Sequence, residues 1–575
     1  MNIFGLVQLA VFIIVVACLV HPLGGYIKRV FSQEPTALDP VLRPLERLIY
    51  RLSGVDPGLP MGAKEYAGAF LLFSLVSTLL VYVILRTQMF FLWYDKSVLT
   101  TPITPDLAFN TAVSFMTTTT WQAYSGENTM SYWTQITAFV GQNFLAGAAG
   151  LAVGMAFIRG FAERQQRQFL GNYWFDLVRS LLWILLPASI VGSIFLVWQG
   201  VPMDFHHYTD ALSLEGAHQT IAQGPVAALE FIENLGTNGG GFFAANGAHP
   251  FENPTPLTNF VEMLAIVVIP AALTNTFGRY VGSLRQGWTL FWMMTFLFAA
   301  GYILAVIPEQ HGNHLMEGAG LITQGHHQIA GGNMEGKEVR FGVASSVLTT
   351  VVTSNTATGS TNSMLDSYLP LSGMIPMVNM LLGEIVYGGL GTGLYSIVMV
   401  ALIAVFVAGL MVGRTPEYLG RTIDADKMKL VILFTLASPA AILIPTAIAV
   451  VIPAGLAGLT TNTGAHGFSE ILYAYTSCFA NNGQSFGGLN ANLPFYNITT
   501  TIAMMVGRFG LAIPALFLAE KFAFSRHHPS SRGSMPTDSL QFGMLLVGVA
   551  LIVVGLTYFP AIALGPIVEH SMGVR

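Results

Sequence analysis

The chain has 575 residues, of which 10% are Asp, Glu, Lys or Arg and 53% are apolar, with a net charge of −5. Soluble domains carry about 25% charged residues, so this composition excludes a soluble enzyme and a disordered chain, and the lack of a basic footprint excludes a nucleic-acid binder. Cys18 and Cys478 are the only cysteines, which excludes a disulfide framework and a cysteine-based metal cluster.

A membrane-spanning helix takes about 20 mostly apolar residues. Ten segments meet this, at roughly 3–20, 66–86, 129–158, 176–200, 257–283, 288–307, 376–412, 428–452, 496–524 and 539–560. The chain reads as an all-α polytopic membrane protein in a lipid bilayer. Residues 3–20 read as a retained span, because no Lys or Arg precedes them and no A-x-A cleavage site follows. The 376–412 segment is too long for one span. It contains Gly388-Gly389-Leu390-Gly391-Thr392-Gly393, which predicts a helix broken in its middle.

Four Thr/Asn/Gly clusters lie between pairs of spans: Thr117–Gln122, Thr237–Gly241, Thr358–Ser360 and Asn481–Gln484. Each follows a short semi-polar stretch and precedes an apolar one. The pattern predicts four helix–pore loop–helix units around a central filter, at 66–175, 176–287, 288–427 and 428–532. Segments 1–65 and 533–575 each add a flanking span, and 309–340 forms an extended outer loop in the third unit. Shifting the second cluster by 244 positions lays Asn238, Gly239, Phe242, Asn246, Pro250, Phe251 and Asn253 on Asn482, Gly483, Phe486, Asn490, Pro494, Phe495 and Asn497. That internal repeat supports the four-unit reading.

Basic residues orient the spans. Segments 21–65, 159–179, 279–285, 414–429 and 521–532 hold 19 of the 25 Lys and Arg residues, which predicts a cytoplasmic side. The opposite side holds Arg86, Lys96, Lys337, Arg340 and Arg575, so both termini are expected outside.

Irregular backbone at membrane depth must be buried in protein or line water. Glycine lets consecutive carbonyls point one way, Thr and Asn add neutral oxygens, and four such loops around an axis can replace an ion's hydration shell. The clusters contain no carboxylate, which suits a weakly hydrated monovalent cation better than a divalent one. The plainer reading of any one cluster is an outer turn. Glu127, Glu230, Glu233, Glu252, Glu262, Asp366 and Glu470 lie around the clusters, either as a field that attracts cations or as a solvated rim. Glu384 and Arg508 fall within spans. Arg508 is expected to repel cations below the filter as a gate; the alternative is a structural ion pair with Glu384. His206-His207 and His326-His327 read as solvated histidines. No P-loop and no D-K-T-G phosphorylation sequence is present, so the chain carries no visible means of using ATP.

Several stretches are similar to one family. They are Thr119-Thr120-Trp121-Gln122-Ala123-Tyr124-Ser125-Gly126-Glu127, Thr237-Asn238-Gly239-Gly240-Gly241-Phe242-Phe243, His249-Pro250-Phe251-Glu252-Asn253-Pro254-Thr255, Asn481-Asn482-Gly483 and Gly413-Arg414-Thr415-Pro416-Glu417-Tyr418-Leu419-Gly420. Over essentially its whole length the chain resembles the potassium-binding A subunits of bacterial Kdp potassium-importing ATPases, within the superfamily of potassium transporters. The resemblance implies a filter formed by Thr118, Thr119, Thr120, Gln122, Thr237, Asn238, Gly239, Gly240, Thr358, Gly359, Ser360, Asn481, Asn482 and Gly483. It implies a path or gate below it at Glu384, Arg414 and Arg508. It also implies that K+ is the only metal, as substrate, that this non-catalytic subunit binds no cofactor, and that ATP is used by a P-type ATPase catalytic subunit. Further implied partners are a single-span periplasmic C subunit and a small membrane F subunit, in the bacterial inner membrane. The alternative is a stand-alone potassium channel or ion-coupled transporter of the same superfamily. Two departures bear on K+ against Rb+ preference: Thr358 stands where better-known members have Cys, and the first cluster has Thr where Asn is expected.

Overall fold

The structure, a computed structural model, describes residues 3–90, 99–166, 169–318, 320–323, 331–528 and 535–573. Lys96, Arg575, His326 and His327 lie outside the described residues. Among the described residues, ten helices are long and apolar enough to cross a membrane: Ile3–Phe31, Ala63–Phe90, Tyr132–Ala162, Tyr173–Trp198, Pro256–Val281, Leu284–Gly318, Thr392–Val412, Ala425–Ala449, Pro494–Phe524 and Leu540–Gly573. The first span continues to Phe31, beyond the expected apolar run, with Lys28 and Arg29 in its last turn, where basic side chains complement the helix dipole.

Four shorter helices occupy the semi-polar stretches: Pro105–Met116, Val226–Leu235, Gly342–Asn355 and Gly464–Phe479. Their 10 to 16 residues reach only part of the way through a hydrocarbon core of about 30 Å. Each runs into one of the Thr/Asn/Gly clusters. These pore helices are buried almost throughout, whereas Ile3–Phe31 and Leu540–Gly573 are each only 28% buried over their most apolar window and sit at the periphery.

The segment 376–412 is not one continuous helix. A helix over Pro370–Leu381 stops, residues 382–391 are irregular, and a second helix runs over Thr392–Val412. The first half begins at Pro370 rather than at 376, where a proline is tolerated at the first helical position.

The most buried span, Tyr132–Ala162, carries small residues wherever another backbone crosses it. A Cβ on Gly147 would stand 3.3 Å from Gly236, one on Gly150 2.7 Å from the Leu390 oxygen, and one on Gly154 2.6 Å from Cα of Gly391. This stripe brings the second loop and the helix break against the same helix face. Outside the helices, Thr209–Leu212 pairs antiparallel with His218–Ile221, with Thr209 opposite Ile221. This hairpin follows the exposed His206 and His207.

Candidate functional site

The four pore helices end in the same way. The N–H of the residue after each helix closes a last bond: Thr117 to the Val113 carbonyl, Gly236 to Ile232, Thr356 to Val352 and Ala480 to Thr476. The next residue is left-handed in every loop: Thr118 (φ 63°), Thr237 (51°), Ala357 (52°) and Asn481 (48°). Two residues later the backbone is left-handed again, at Thr120 (47°), Gly239 (71°), Gly359 (92°) and Gly483 (83°). Alternating the hand along a loop turns successive carbonyls to one side. Four non-glycine residues held at the first position, and Thr120 at the second, each cost about 1–3 kcal/mol, so the surrounding structure must over-determine them.

What holds them is the return of the loop N–H groups to their own helix. Thr119 and Thr120 donate to the Ser114 carbonyl at 3.0 and 3.2 Å, and Asn238 and Gly239 to the Glu233 carbonyl at 2.8 and 3.0 Å. Thr358 donates to the Thr353 carbonyl, Gly359 to the Thr353 hydroxyl, and Asn482 to the Ser477 carbonyl. The helix C-terminal ends, partially negative, therefore converge on the loops, a field that favours a cation.

The loops close on one another in chain order. A Cβ on Gly239 would stand 1.7 Å from the Thr358 oxygen, one on Gly359 1.9 Å from the Asn482 oxygen, and one on Gly483 1.7 Å from the Thr119 oxygen. The remaining junction, first loop to second, uses side chains. Gln122 donates Nε2 to the Gly241 carbonyl at 2.9 Å and accepts the Gly241 N–H at 3.0 Å. Gly240 makes room there for the Thr120 methyl group, which would lie 2.2 Å from a Cβ. Asn481 Nδ2 donates to Thr119 Oγ1 at 3.0 Å, bracing the fourth loop to the first. The structure thus brings the four clusters into one ring.

Two of the asparagines direct their amide donors outside the ring. Asn238 Nδ2 donates to the Asn143 carbonyl at 2.8 Å, and Asn482 Nδ2 to the Thr353 carbonyl at 2.7 Å. They brace the loops, because an amide has donors that a neighbouring helix carbonyl can satisfy. Thr120 Oγ1 and Asn238 Oδ1 are buried without a protein partner. Thr358 Oγ1 lies 2.8 Å from Thr356 Oγ1. Ser360 is buried, its hydroxyl beside Gly247. Above the ring a cavity of ≈ 710 Å³ is lined by Thr120, Gln122, Asn246, Ser363, Gly483 and Asn490, among others.

Arg508 meets the first loop at its innermost residue. It donates Nη1 to Thr118 Oγ1 at 3.2 Å and Nη2 to the Ala146 carbonyl at 2.9 Å, and is 6% exposed. Among the described residues no ion pair within 4.0 Å joins it to Glu384, so the alternative of a structural pair is not realised. Glu384 is buried in the helix break with φ 59°. The break itself rises to the ring: Leu390 donates its N–H to Thr237 Oγ1 at 3.1 Å. Arg414 is not part of this group. It is exposed just past the far end of Thr392–Val412. That unbroken helix spans roughly 30 Å, which carries Arg414 away from Glu384 and Arg508.

Five of the seven acidic residues are neither a solvated rim nor an exposed field: Glu470 is buried on the fourth pore helix, and the other four lie together. Glu230, Glu233, Glu252 and Glu262 are at most 4% exposed and pack behind the second loop. Oxygens of Glu230, Glu233 and Glu252 lie within 4.8 Å of one another. Glu252 Oε1 accepts the N–H groups of Phe242 and Phe243 at 2.5 and 3.1 Å, tying down the chain as it leaves the loop. Burial, and next the Glu230 charge, push the Glu252 carboxyl well above the ordinary carboxylate range, against the pull of those N–H donors. Sequence reasoning missed Glu252 as a strap. The internal repeat could not have flagged it, since position 496 of the fourth unit is Tyr. It also missed Ala357, whose left-handed backbone no composition signal marks. The glycine spacing at 147, 150 and 154 was a readable signal for the crossing of the break.

A family model described as potassium-transporting ATPase A subunit matches residues 10–571. A potassium-transporting ATPase potassium-binding subunit of Methylorubrum extorquens is 51% identical over 573 residues, covering 100% of this chain and 98% of that one. The protein of that name from Rhodopseudomonas palustris is 50% identical over 576 residues, covering 100% of both. The potassium transporter TrkH from Vibrio parahaemolyticus aligns with a TM-score of 0.47 at 11% identity, over 71% of this chain and 77% of that one. With the match running nearly end to end, the chain belongs to the potassium-transporting ATPase A subunit family.

Proposed function

We propose that this chain is the potassium-selecting subunit of an ATP-driven import complex. The observation that carries the reading is the four-loop ring, in which left-handed residues recur at two matched positions of every loop and successive loops meet backbone to backbone at Gly239, Gly359 and Gly483. Neutral oxygens in a carboxylate-free ring suit K+, which gives up its hydration shell more readily than a divalent ion. The relatives' name, potassium-binding subunit, supports the same ion and the same division of labour.

In this reading K+ enters the outer cavity, is stripped of water at the ring formed by Thr118–Thr120, Thr237–Gly240, Thr358–Ser360 and Asn481–Gly483, and is passed to a P-type ATPase catalytic subunit. Gln122 fixes the junction of the first two loops. Arg508 at Thr118, and the break over residues 382–391 at Thr237, obstruct free flow below the ring, so passage waits on the partner. A single-span periplasmic C subunit and a small membrane F subunit complete the assembly, in the bacterial inner membrane with both termini outside.

The test is the assembled complex. Gly239→Asp is expected to weaken the K+ dependence of ATP hydrolysis many-fold, and unchanged K+ affinity would remove this loop from the filter. The isolated chain is expected not to hydrolyse ATP. Electrogenic K+ flux through liposomes holding the chain alone would instead support a stand-alone channel.

A further inference from the structure

At the start of the fourth pore helix, three segments distant in sequence meet on one imidazole. His466 Nε2 lies 2.6 Å from Oδ1 of Asp366, in the stretch after the third loop, and Nδ1 lies 2.7 Å from Oε1 of Glu569, near the end of the last helix. Glu470, one turn further along the pore helix, places Oε1 4.0 Å from Nε2. The Asn462 amide bridges Asp366 and Glu470, at 3.2 and 2.9 Å.

Hydrogen bonding inside this cluster does not satisfy it. Three carboxylates surround one imidazole, so a net negative charge persists even when His466 is protonated. The Glu470 side chain is 0% exposed, and among the described residues its Oε2 has no hydrogen-bond partner. A carboxylate oxygen removed from water without a donor is costly, and a cation relieves it. Gly488 packs directly against Glu470, where a Cβ would stand 2.4 Å from Oε1, and so helps to bury the carboxylate.

We infer that Asp366, His466 and Glu470 form a site for a divalent first-row transition ion, best matched by zinc, at the rim of the outer cavity. One imidazole nitrogen with carboxylate oxygens is a donor set zinc accepts. Tetrahedral zinc holds its ligand atoms about 3.3 Å apart, between the 2.6 and 4.0 Å separations of Nε2 from its two carboxylates. Without metal both ring nitrogens face a carboxylate at hydrogen-bond distance, so zinc takes the place of the Nε2 proton, which is released to solvent, while Glu569 keeps the Nδ1 proton and orients the ring. Bound metal clamps the fourth loop's exit, since Asp366 donates its N–H to the Phe486 carbonyl at 2.8 Å. It also ties the last helix to the pore domain through Glu569. The site is separate from the K+ ring and uses none of its residues.

The test is zinc binding by the purified complex after chelator treatment, with Zn2+ alone added back. Competition against a chromophoric chelator is expected to give one Zn2+ per chain, together with a rise in Tm. His466→Gln and Glu470→Gln are expected to lose both, and Glu569→Gln to bind 10- to 100-fold more weakly. If His466→Gln does not assemble, Asp366→Asn replaces it. Equal stoichiometry in wild type and Glu470→Gln overturns the assignment. So does the absence of saturable binding in wild type, which leaves His466 as a charged clasp between Asp366 and Glu569.

Discussion

Gly483 lies so close to Thr119 that a Cβ would stand 1.7 Å from the Thr119 carbonyl oxygen. The contact joins the last loop of the chain to the first, and it closes the ring. The obstruction is backbone, so no side-chain rotation relieves it. Gly483 also holds φ 83°, where an L side chain costs about 1–2 kcal/mol. Gly483→Ala is expected to raise the half-saturating K+ concentration of the complex's ATPase at least about tenfold. The K+ titration of ATP hydrolysis measures this, with expression and assembly as controls.

Arg508 is expected to be irreplaceable by lysine. Its guanidinium reaches both Thr118 Oγ1 and the Ala146 carbonyl, a two-point geometry an ammonium does not reproduce. Arg508→Lys and Arg508→Gln should loosen the coupling of ATP hydrolysis to K+. The measurement is the ratio of K+ transported to ATP hydrolysed in proteoliposomes; an unchanged ratio in both variants would assign Arg508 a structural role only.

The break over residues 382–391 is held to the ring through Thr237. Thr237→Val keeps the shape but removes the hydroxyl that accepts the Leu390 N–H, a loss of about 1 kcal/mol or more for a buried donor. Hydrogen exchange at 382–391 should accelerate relative to the neighbouring helix Thr392–Val412. Equal protection in wild type and variant would separate the break from the ring.

Glu252 sets a pH dependence. Its folded-state carboxyl is held above the ordinary value, so between the unfolded and the folded value the folded chain binds a proton that the unfolded chain has released. Stability therefore falls as pH rises above the unfolded carboxylate value and levels off above the folded one. Glu252→Gln keeps an acceptor for Phe242 and Phe243 and removes the titration. Thermal unfolding of the complex, followed upward from the ordinary carboxylate value of about pH 4, should slope downward in wild type and be flatter in this variant.

Much of the architecture was legible in the chain because membrane physics is local. Ten spans follow from apolar length, and the break follows from Gly388–Gly393. The match of Asn238-Gly239 to Asn482-Gly483 located two of the four loops on its own. Other features were not legible. Glu230, Glu233, Glu252 and Glu262 looked like solvent-facing acids in a polar outer segment, yet tertiary packing buried them. Arg414 shared a family motif with no marker of its distance from Arg508.

The sequence by itself determined where the chain crosses a bilayer and where it cannot be regular, since span length and glycine content act within a few residues. Only the tertiary structure decided which polar groups face the ion path. Asn238 and Asn482 turned aside to brace neighbouring helices, Thr120 took a left-handed backbone where the other loops use glycine, and Arg508 met Thr118 rather than Glu384. Those outcomes depend on contacts between residues hundreds of positions apart, where burial leaves each donor one available partner and no local pattern records which.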